Sequence, residues 1–209
     1  MLKDRTEAGK LLAKKLSGYK GGGTVVLALP RGGVVVGYEI AKALNSPLDI
    51  VVTRKIGHPH NPEYAICAVD KDGLLLCNEQ EIKSIDSVWL SEEILNQKKE
   101  AERRVLLYRG EGKPEEITGK TAVIVDDGIA TGLTMRLAIR YVRTQKAKKI
   151  IVAVPVAPLG FERSILNEGA DEVITLLPPE DFTGAVGAHY QHFNQVEDKE
   201  VIKFLLKRA

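Results

Sequence analysis

The chain has 209 residues, 44% of them hydrophobic, and a formal net charge of +2. That length can bury one full core, so a single domain over residues 1–209 is expected. The near-neutral balance offers no broad basic surface for nucleic acid or an anionic membrane, and no apolar run approaches a bilayer span.

Residues 1–20 are charged and amphipathic rather than signal-like, which predicts a cytoplasmic protein. Asp4 and Glu7 have capping-box spacing, and Ala8, Leu11, Leu12 and Leu16 line one face of the helix that follows. After the break at Gly21 to Gly23, residues 24–29 read as a strand. Pro30, Arg31, Gly32 and Gly33 form a short loop, and residues 34–44 a helix. A second strand over 48–53 ends in Arg54 and Lys55. Residues 56–63 hold two prolines, Gly57, His58 and His60 without periodicity, which predicts a mobile loop. Two histidines there supply too few ligands for a metal.

Alternation over 64–69 and 74–77 predicts a hairpin turning at Lys71, Asp72 and Gly73. Cys67 and Cys77 fall in it without metal-ligand spacing and read as isolated thiols of a reducing compartment, each an ordinary small core residue. Ser91 is placed as the cap of a long polar helix reaching Tyr108, with Ile94, Ala101 and Val105 as its buried edge. A connector over 111–120 leads to an apolar strand over 121–125. Beyond a helical stretch over 136–142, a buried strand is expected over 149–155, a helix over 161–167 and a short strand over 171–176. Arg140, Arg143, Lys146, Lys148 and Lys149 read as a solvated helix end. Residues 178–209 mix turns, a Gly/His/aromatic patch in which His189 and His192 are packing residues, and a last amphipathic helix.

Strands alternating with helices predict an α/β fold with a parallel β-sheet flanked by helices. Ligands in such folds bind beyond the carboxyl ends of the strands. Residues 30–33, 54–63, 126–134 and 155–161 all fall at such ends and should face one crevice.

The most informative stretch is VIVDDGIATGLT, residues 123–134. An apolar strand ends in Asp126 and Asp127, and a small-residue turn opens a helix. Unpaired N–H groups and the helix dipole make such a turn an anion site. The neighbouring carboxylates would repel a phosphate unless they bind something else, and sugar hydroxyls, directly or through Mg2+, resolve the conflict. Gly132 is followed by Leu133 rather than Lys, so this is not a Walker A loop, and the spacing of Gly128 and Gly132 supplies no dinucleotide fingerprint. The same residues also suit an ordinary strand–turn–helix with capping aspartates.

The stretch closely resembles the phosphoribosyl diphosphate (PRPP) signature of type I phosphoribosyltransferases: an apolar strand, two acidic residues, two variable ones, a small residue, then Thr-Gly-x-Thr. The order of strands and loops along most of the chain is similar too. The resemblance implies the family's parallel sheet with a small hood from the chain ends, here roughly 178–209. It implies transfer of the 5-phosphoribosyl group from PRPP to a small-molecule acceptor, usually a ring nitrogen, with loss of pyrophosphate. Asp126 and Asp127 would hold the ribose hydroxyls. Ala130, Thr131, Gly132, Leu133 and Thr134 would hold the 5′-phosphate. Arg31, Gly32 and Gly33 would bind pyrophosphate in a loop where members commonly carry a non-proline cis peptide, although a Gly-Gly pair also suits a plain tight turn. Arg54 and Lys55 would reach the same pyrophosphate, or remain solvated, and the loop after them would close over the site.

Mg2+ would be carried mainly by PRPP, with Asp126 and Asp127 as the protein's own candidate ligands. At the position of Ala130, 6-oxopurine salvage members carry an acidic residue, so hypoxanthine and guanine are disfavoured as acceptors. Phe182, Gly184, Gly187, Tyr190 and Phe193 would either stack on a base or form the hood's own core. The partners implied are PRPP and the acceptor, without nucleic acid or membrane, and a homo-oligomer is compatible. A PRPP-sensing regulator without turnover would share every one of these features.

Overall fold

The computed structural model describes residues 1–207, so Arg208 and Ala209, at the end of the expected hood, lie outside the described residues. A parallel sheet of five strands has the order β2-β1-β6-β7-β8, formed by β1 (Thr24–Ala28), β2 (Leu48–Ile50), β6 (Thr121–Val125), β7 (Lys149–Val154) and β8 (Glu172–Thr175). Its central strands are buried on both faces, which is why they read as unbroken β-branched runs without polar alternation. Val26, Ala28, Val123, Val125, Ile151 and Ala153 face one core, shared with α1 (Arg5–Lys15), α2 (Gly32–Leu44), α3 (Ser87–Arg109) and α6 (Asp198–Leu206). Val25, Leu27, Ile124 and Val152 face the other, under α4 (Leu133–Thr144) and α5 (Phe161–Asn167). The chain runs from β1 outward to β2, then returns to the far side of β1 as β6. The strand order therefore reverses between β1 and β6, where open α/β sheets place their ligands.

Three further strands, β3 (Thr53–His58), β4 (Asn61–Asp70) and β5 (Leu75–Cys77), form a small antiparallel sheet. This overturns the mobile loop expected over 56–63: that segment is the paired tip of the β3–β4 hairpin. Its pairing partner lies later in the chain, and the register slips on both sides of Gly57, which hides any period-two pattern. A Cβ on Gly57 would overlap the Pro62 carbonyl, so only glycine lets the two strands close there. One face of the hairpin (Ile56, Ile66, Val69) packs on Trp89, Leu90 and Ile94 of α3. The other (Ala65, Ala68, Leu76) packs on Leu133 and Leu137 of α4.

The predicted β4–β5 hairpin is present and sets Cys67 directly opposite Cys77. The two are joined in a disulfide, so the expectation of isolated thiols is wrong. The turn at 71–73 itself brings them into register. Helix α3 begins earlier than expected: Asp86 accepts from the Trp89 N–H at 2.8 Å as its cap, while Ser91 lies inside the first turns and donates to the Ser87 carbonyl. Asp4 caps α1 by accepting from the Glu7 N–H at 2.8 Å, but the Glu7 carboxylate turns to the Lys3 N–H instead of closing the box. At the sheet edge, buried Asp49 accepts from Arg109 of α3 and from the Glu115 and Ile50 N–H groups. Arg140 pairs with Glu168, Arg143 with Asp171 and Lys149 with Glu172, so these members of the predicted solvated cluster are ion-paired. No described helix is long and apolar enough to cross a membrane.

Candidate active site

Because β1 and β6 pair in parallel, with Ala28 beside Val125, the turns leaving their carboxyl ends meet. The Leu29 N–H donates to the Val125 carbonyl at 2.8 Å and draws them together. The Pro30–Arg31 peptide is cis, as the resemblance implied. Immediately after it, Gly32 lies against Asp127: a Cβ there would overlap Oδ2 and stand 2.6 Å from Cγ. A Cβ on Gly33 would stand 2.9 Å from the Asp126 Cα and from the Val125 carbonyl oxygen. The glycine pair is thus dictated by the close approach of the two acidic residues, beyond what a plain tight turn needs.

The two carboxylates have different surroundings. Asp126 accepts from the Asp127 N–H through Oδ1 at 2.8 Å. Burial, and then the neighbouring Asp127 charge, push its carboxyl well above the usual range. Asp127 Oδ2 accepts from Arg5 Nε at 2.6 Å. Arg5 also donates through Nη1 to the Asn194 carbonyl at 2.7 Å and lies 3.8 Å over the Phe193 ring. The Tyr190 hydroxyl donates to the Asp127 carbonyl at 2.6 Å, and burial raises that phenol's pKa. Sequence reasoning missed Arg5, because a partner 122 positions away leaves no local pattern.

The turn before α4 is anchored where the Ile129 N–H donates to the Val156 carbonyl at 3.0 Å. Gly132 has φ +79° at the helix N-cap, a conformation that favours glycine. The helical ladder opens with Arg136 N–H to the Gly132 carbonyl at 2.9 Å, so the N–H groups of Leu133, Thr134 and Met135 have no acceptor within the helix. Ala130 and Thr131 are exposed at the mouth, and Gly132 and Leu133 are buried beneath them. An open cleft of about 750 Å³ lies between this turn and the hairpin, lined by Thr131, Leu133, Arg136, Tyr64 and Leu76 among others.

Strand alternation separates the expected basic pair. Lys55 is paired with Ala68 and shares the hairpin face that packs on α4, beside the turn that opens that helix. It is exposed and bridges to Glu63 at 2.8 Å. Arg54 is paired with Val69 and faces α3, where its Nε donates to Gln97 at 3.0 Å. Burial, with Arg104 and Arg31 nearby, lowers its pKa. Arg31 lies 3.7 Å from Asp198, which also accepts from the Tyr108 hydroxyl at 2.6 Å.

The hood aromatics pack on one another: Phe182 stacks on His189 and Tyr190 on Phe193. His189 is buried there, its Nε2 accepting from the Thr183 N–H at 3.2 Å. Among the described residues no group of three or more His, Cys, Asp or Glu side chains could hold a metal. The His58 and His60 rings lie near each other at the hairpin tip, the His58 ring accepting from the His60 N–H.

Residues 2–165 match the family model described as phosphoribosyl transferase domain. Two Mycobacterium tuberculosis proteins, from strains CDC 1551 / Oshkosh and H37Rv and provisionally named phosphoribosyl transferases, are each 41% identical over 204 residues. That alignment covers 97% of this chain and 46% of theirs, so the chain spans about half the length of the curated relatives it matches. The crystal structure of the protein TT1426 from Thermus thermophilus superposes with a TM-score of 0.81 at 39% identity, covering 100% of this chain and 99% of that one.

Proposed function

This chain belongs to the phosphoribosyl transferase domain family, and from that premise we propose that it binds PRPP and transfers the 5-phosphoribosyl group to a nitrogenous base, releasing pyrophosphate. The observation that carries this reading is the contact of Gly32 and Gly33 with Asp126 and Asp127, at the reversal of strand order and beside a helix N-terminus. Two carboxylates suited to sugar hydroxyls, a glycine loop and N–H donors without a helical acceptor are neighbours there.

The N–H groups opening α4, with the hydroxyls of Thr131 and Thr134, suit the 5′-phosphate. Asp126 and Asp127 suit the ribose hydroxyls and stabilise the positive charge that develops on the sugar. Arg31 and Lys55 approach from the two flanking segments and suit the diphosphate, while Arg54 adds positive potential from behind the hairpin face. The base nitrogen forms a bond to the anomeric carbon as the bond to the diphosphate oxygen breaks, and pyrophosphate leaves with the electron pair. The chain contributes position and field rather than a covalent intermediate.

The donor set fits Mg2+ as a companion of the substrate rather than a resident ion. Asp126 and Asp127 offer hard oxygens but no third protein ligand, and this ion is usually completed by water and substrate phosphates. When bound, Mg2+ neutralises charge on the departing diphosphate.

Ala130 restricts the acceptor. Its methyl group cannot move a proton, and general acid–base assistance is typically worth about 10²–10⁴-fold, so hypoxanthine and guanine should be poor acceptors. A specificity constant of about 10⁴ M⁻¹s⁻¹ or more for either would contradict this. The test of the whole reading is pyrophosphate release from PRPP and Mg2+ against a panel of bases. Release that depends on one base supports transfer. PRPP binding without release for any base would instead favour the sensor.

A further inference from the structure

Arg5 is outside every sugar- or phosphate-binding pattern in the sequence, yet its guanidinium meets two distant parts of the chain, Asp127 and the segment 193–194. Nε donates to Asp127 Oδ2, Nη1 donates to the Asn194 carbonyl, and the plane lies on the Phe193 ring. The pair is shielded from water, with side-chain exposures of 11% for Arg5 and 15% for Asp127. Resting on the ribose-phosphate reading above, we propose that Arg5 is a positioning residue for the sugar. It fixes one oxygen of Asp127 so that the other is presented to a ribose hydroxyl, and it ties that aim to the docking of the hood segment around Phe193 and Asn194.

Asp126 and Asp127 are adjacent carboxyl groups, and the charge on Asp127 disfavours ionisation of Asp126. A Cβ on Gly32 would overlap Asp127 Oδ2 and stand 2.8 Å from Arg5 Nε, so the missing side chain leaves the room in which the guanidinium reaches the carboxylate. Arg5 reaches the Asp127 carboxylate from 122 positions earlier in the chain and restrains it. Oδ2 takes the guanidinium proton, and the Asp126 carboxyl is the other side chain that hydrogen-bonds to the Asp127 carboxylate. A guanidinium suits the task because its fork is planar and rigid and can serve Asp127 and Asn194 at once, with an aromatic face fixing its plane. Lysine has no such fork.

A mere staple between the chain ends would hold the hood without aiming the carboxylate, so the test must separate sugar from phosphate. Calorimetry with ribose 5-phosphate and with inorganic phosphate should be run on the wild type, Arg5→Gln, Asp127→Asn and the double variant. Loss of a charge-assisted contact should weaken ribose 5-phosphate about tenfold or more in Arg5→Gln, with phosphate changed by less than about twofold. In the Asp127→Asn background the same substitution should add less than about twofold, because no carboxylate remains to be aimed. If Arg5→Gln does not fold, Arg5→Lys carries the test, with an intermediate loss for the sugar phosphate and none for phosphate. Unchanged ribose 5-phosphate binding in Arg5→Gln, equal losses for both ligands, or effects of the two substitutions that multiply independently would overturn the proposal while leaving the ribose-phosphate site standing. A wild-type protein that binds neither ligand would overturn that site, and the role of Arg5 with it.

Discussion

Asp126 and Asp127 are the same residue type in successive positions, but one is buried against its neighbour's charge and the other is bound to a guanidinium. The raised carboxyl of Asp126 has a consequence for stability. Its folded pKa lies above the unfolded value of about 3.9, so the folded chain holds the proton over the window between the two. Stability from this group is therefore fully present below the unfolded pKa and is lost as pH rises through the folded one. Asp126→Asn keeps an oxygen for the Asp127 N–H and cannot ionise. It should melt higher than the wild type at about pH 7 and lose that advantage at about pH 3.5. A melting-temperature difference that does not change with pH would refute this. The same variant combined with Asp127→Asn should cost roughly one to two decades in PRPP affinity with Mg2+, as expected for lost charge-assisted hydrogen bonds; unchanged affinity would remove both residues from the ribose role. The two carboxylates stand out in the signature at 123–134, whereas Gly32 and Gly33 came from the wider resemblance and equally suited a plain tight turn. Arg5 was not legible, since no local spacing announces a partner from the other end of the chain.

Among the elements, the small antiparallel sheet differs most from expectation. Its tip over 59–63 is exposed beyond the packed faces, and the arm carries Lys55 beside the turn that opens α4. Pairing makes it a structured arm rather than a loose loop, and any closure over ligand should involve the arm as a unit. Limited proteolysis at the Pro59–His60 turn should slow when PRPP and Mg2+ are added, and equal rates would exclude the arm from ligand closure. The base of the same sheet is pinned by the Cys67–Cys77 bond, which closes a separation of 10 residues. For a loop of that size the chain-entropy model gives roughly 2–3 kcal/mol. Cys77→Ser should lower stability by about that amount in denaturant titration, and an unchanged midpoint would show that the bond is dispensable. On the far edge, Asp49→Ala should be costlier, about 3–5 kcal/mol, because it leaves the Arg109 guanidinium facing a buried gap. The β4–β5 hairpin was legible from alternation and a turn centred near Asp72. Counting outward from that turn pairs Cys67 with Cys77, so the disulfide was implicit in a prediction that had not been carried to its register.

At the scale of the whole molecule, the two chain ends close on each other above the sheet. The Leu2 N–H donates to the His189 carbonyl, the Gln191 N–H to the Leu2 carbonyl, and the His192 N–H to the Lys3 carbonyl. Tyr190 and Arg5 then join this clasp to Asp127 from above and from the side. The clasp and the sugar carboxylates should accordingly gain protection together. Hydrogen exchange with ribose 5-phosphate should slow at residues 2–3 and 190–192 as well as at 126–135; slowing at the turn alone would uncouple the hood from the site. What the sequence determined by itself was the parallel sheet, the turns at its strand ends and the family, because buried strands, capped helices and a glycine-bearing turn at a helix start each write their requirement into consecutive residues. What only the tertiary structure decided was which distant groups meet: Arg5 on Asp127, Gly32 under the same carboxylate, Arg54 turned away from Lys55, and the tip of the hairpin paired rather than loose. Such contacts arise when non-local strands pair and the ends of the chain dock, and the energy that selects them belongs to the packed whole rather than to any window of sequence.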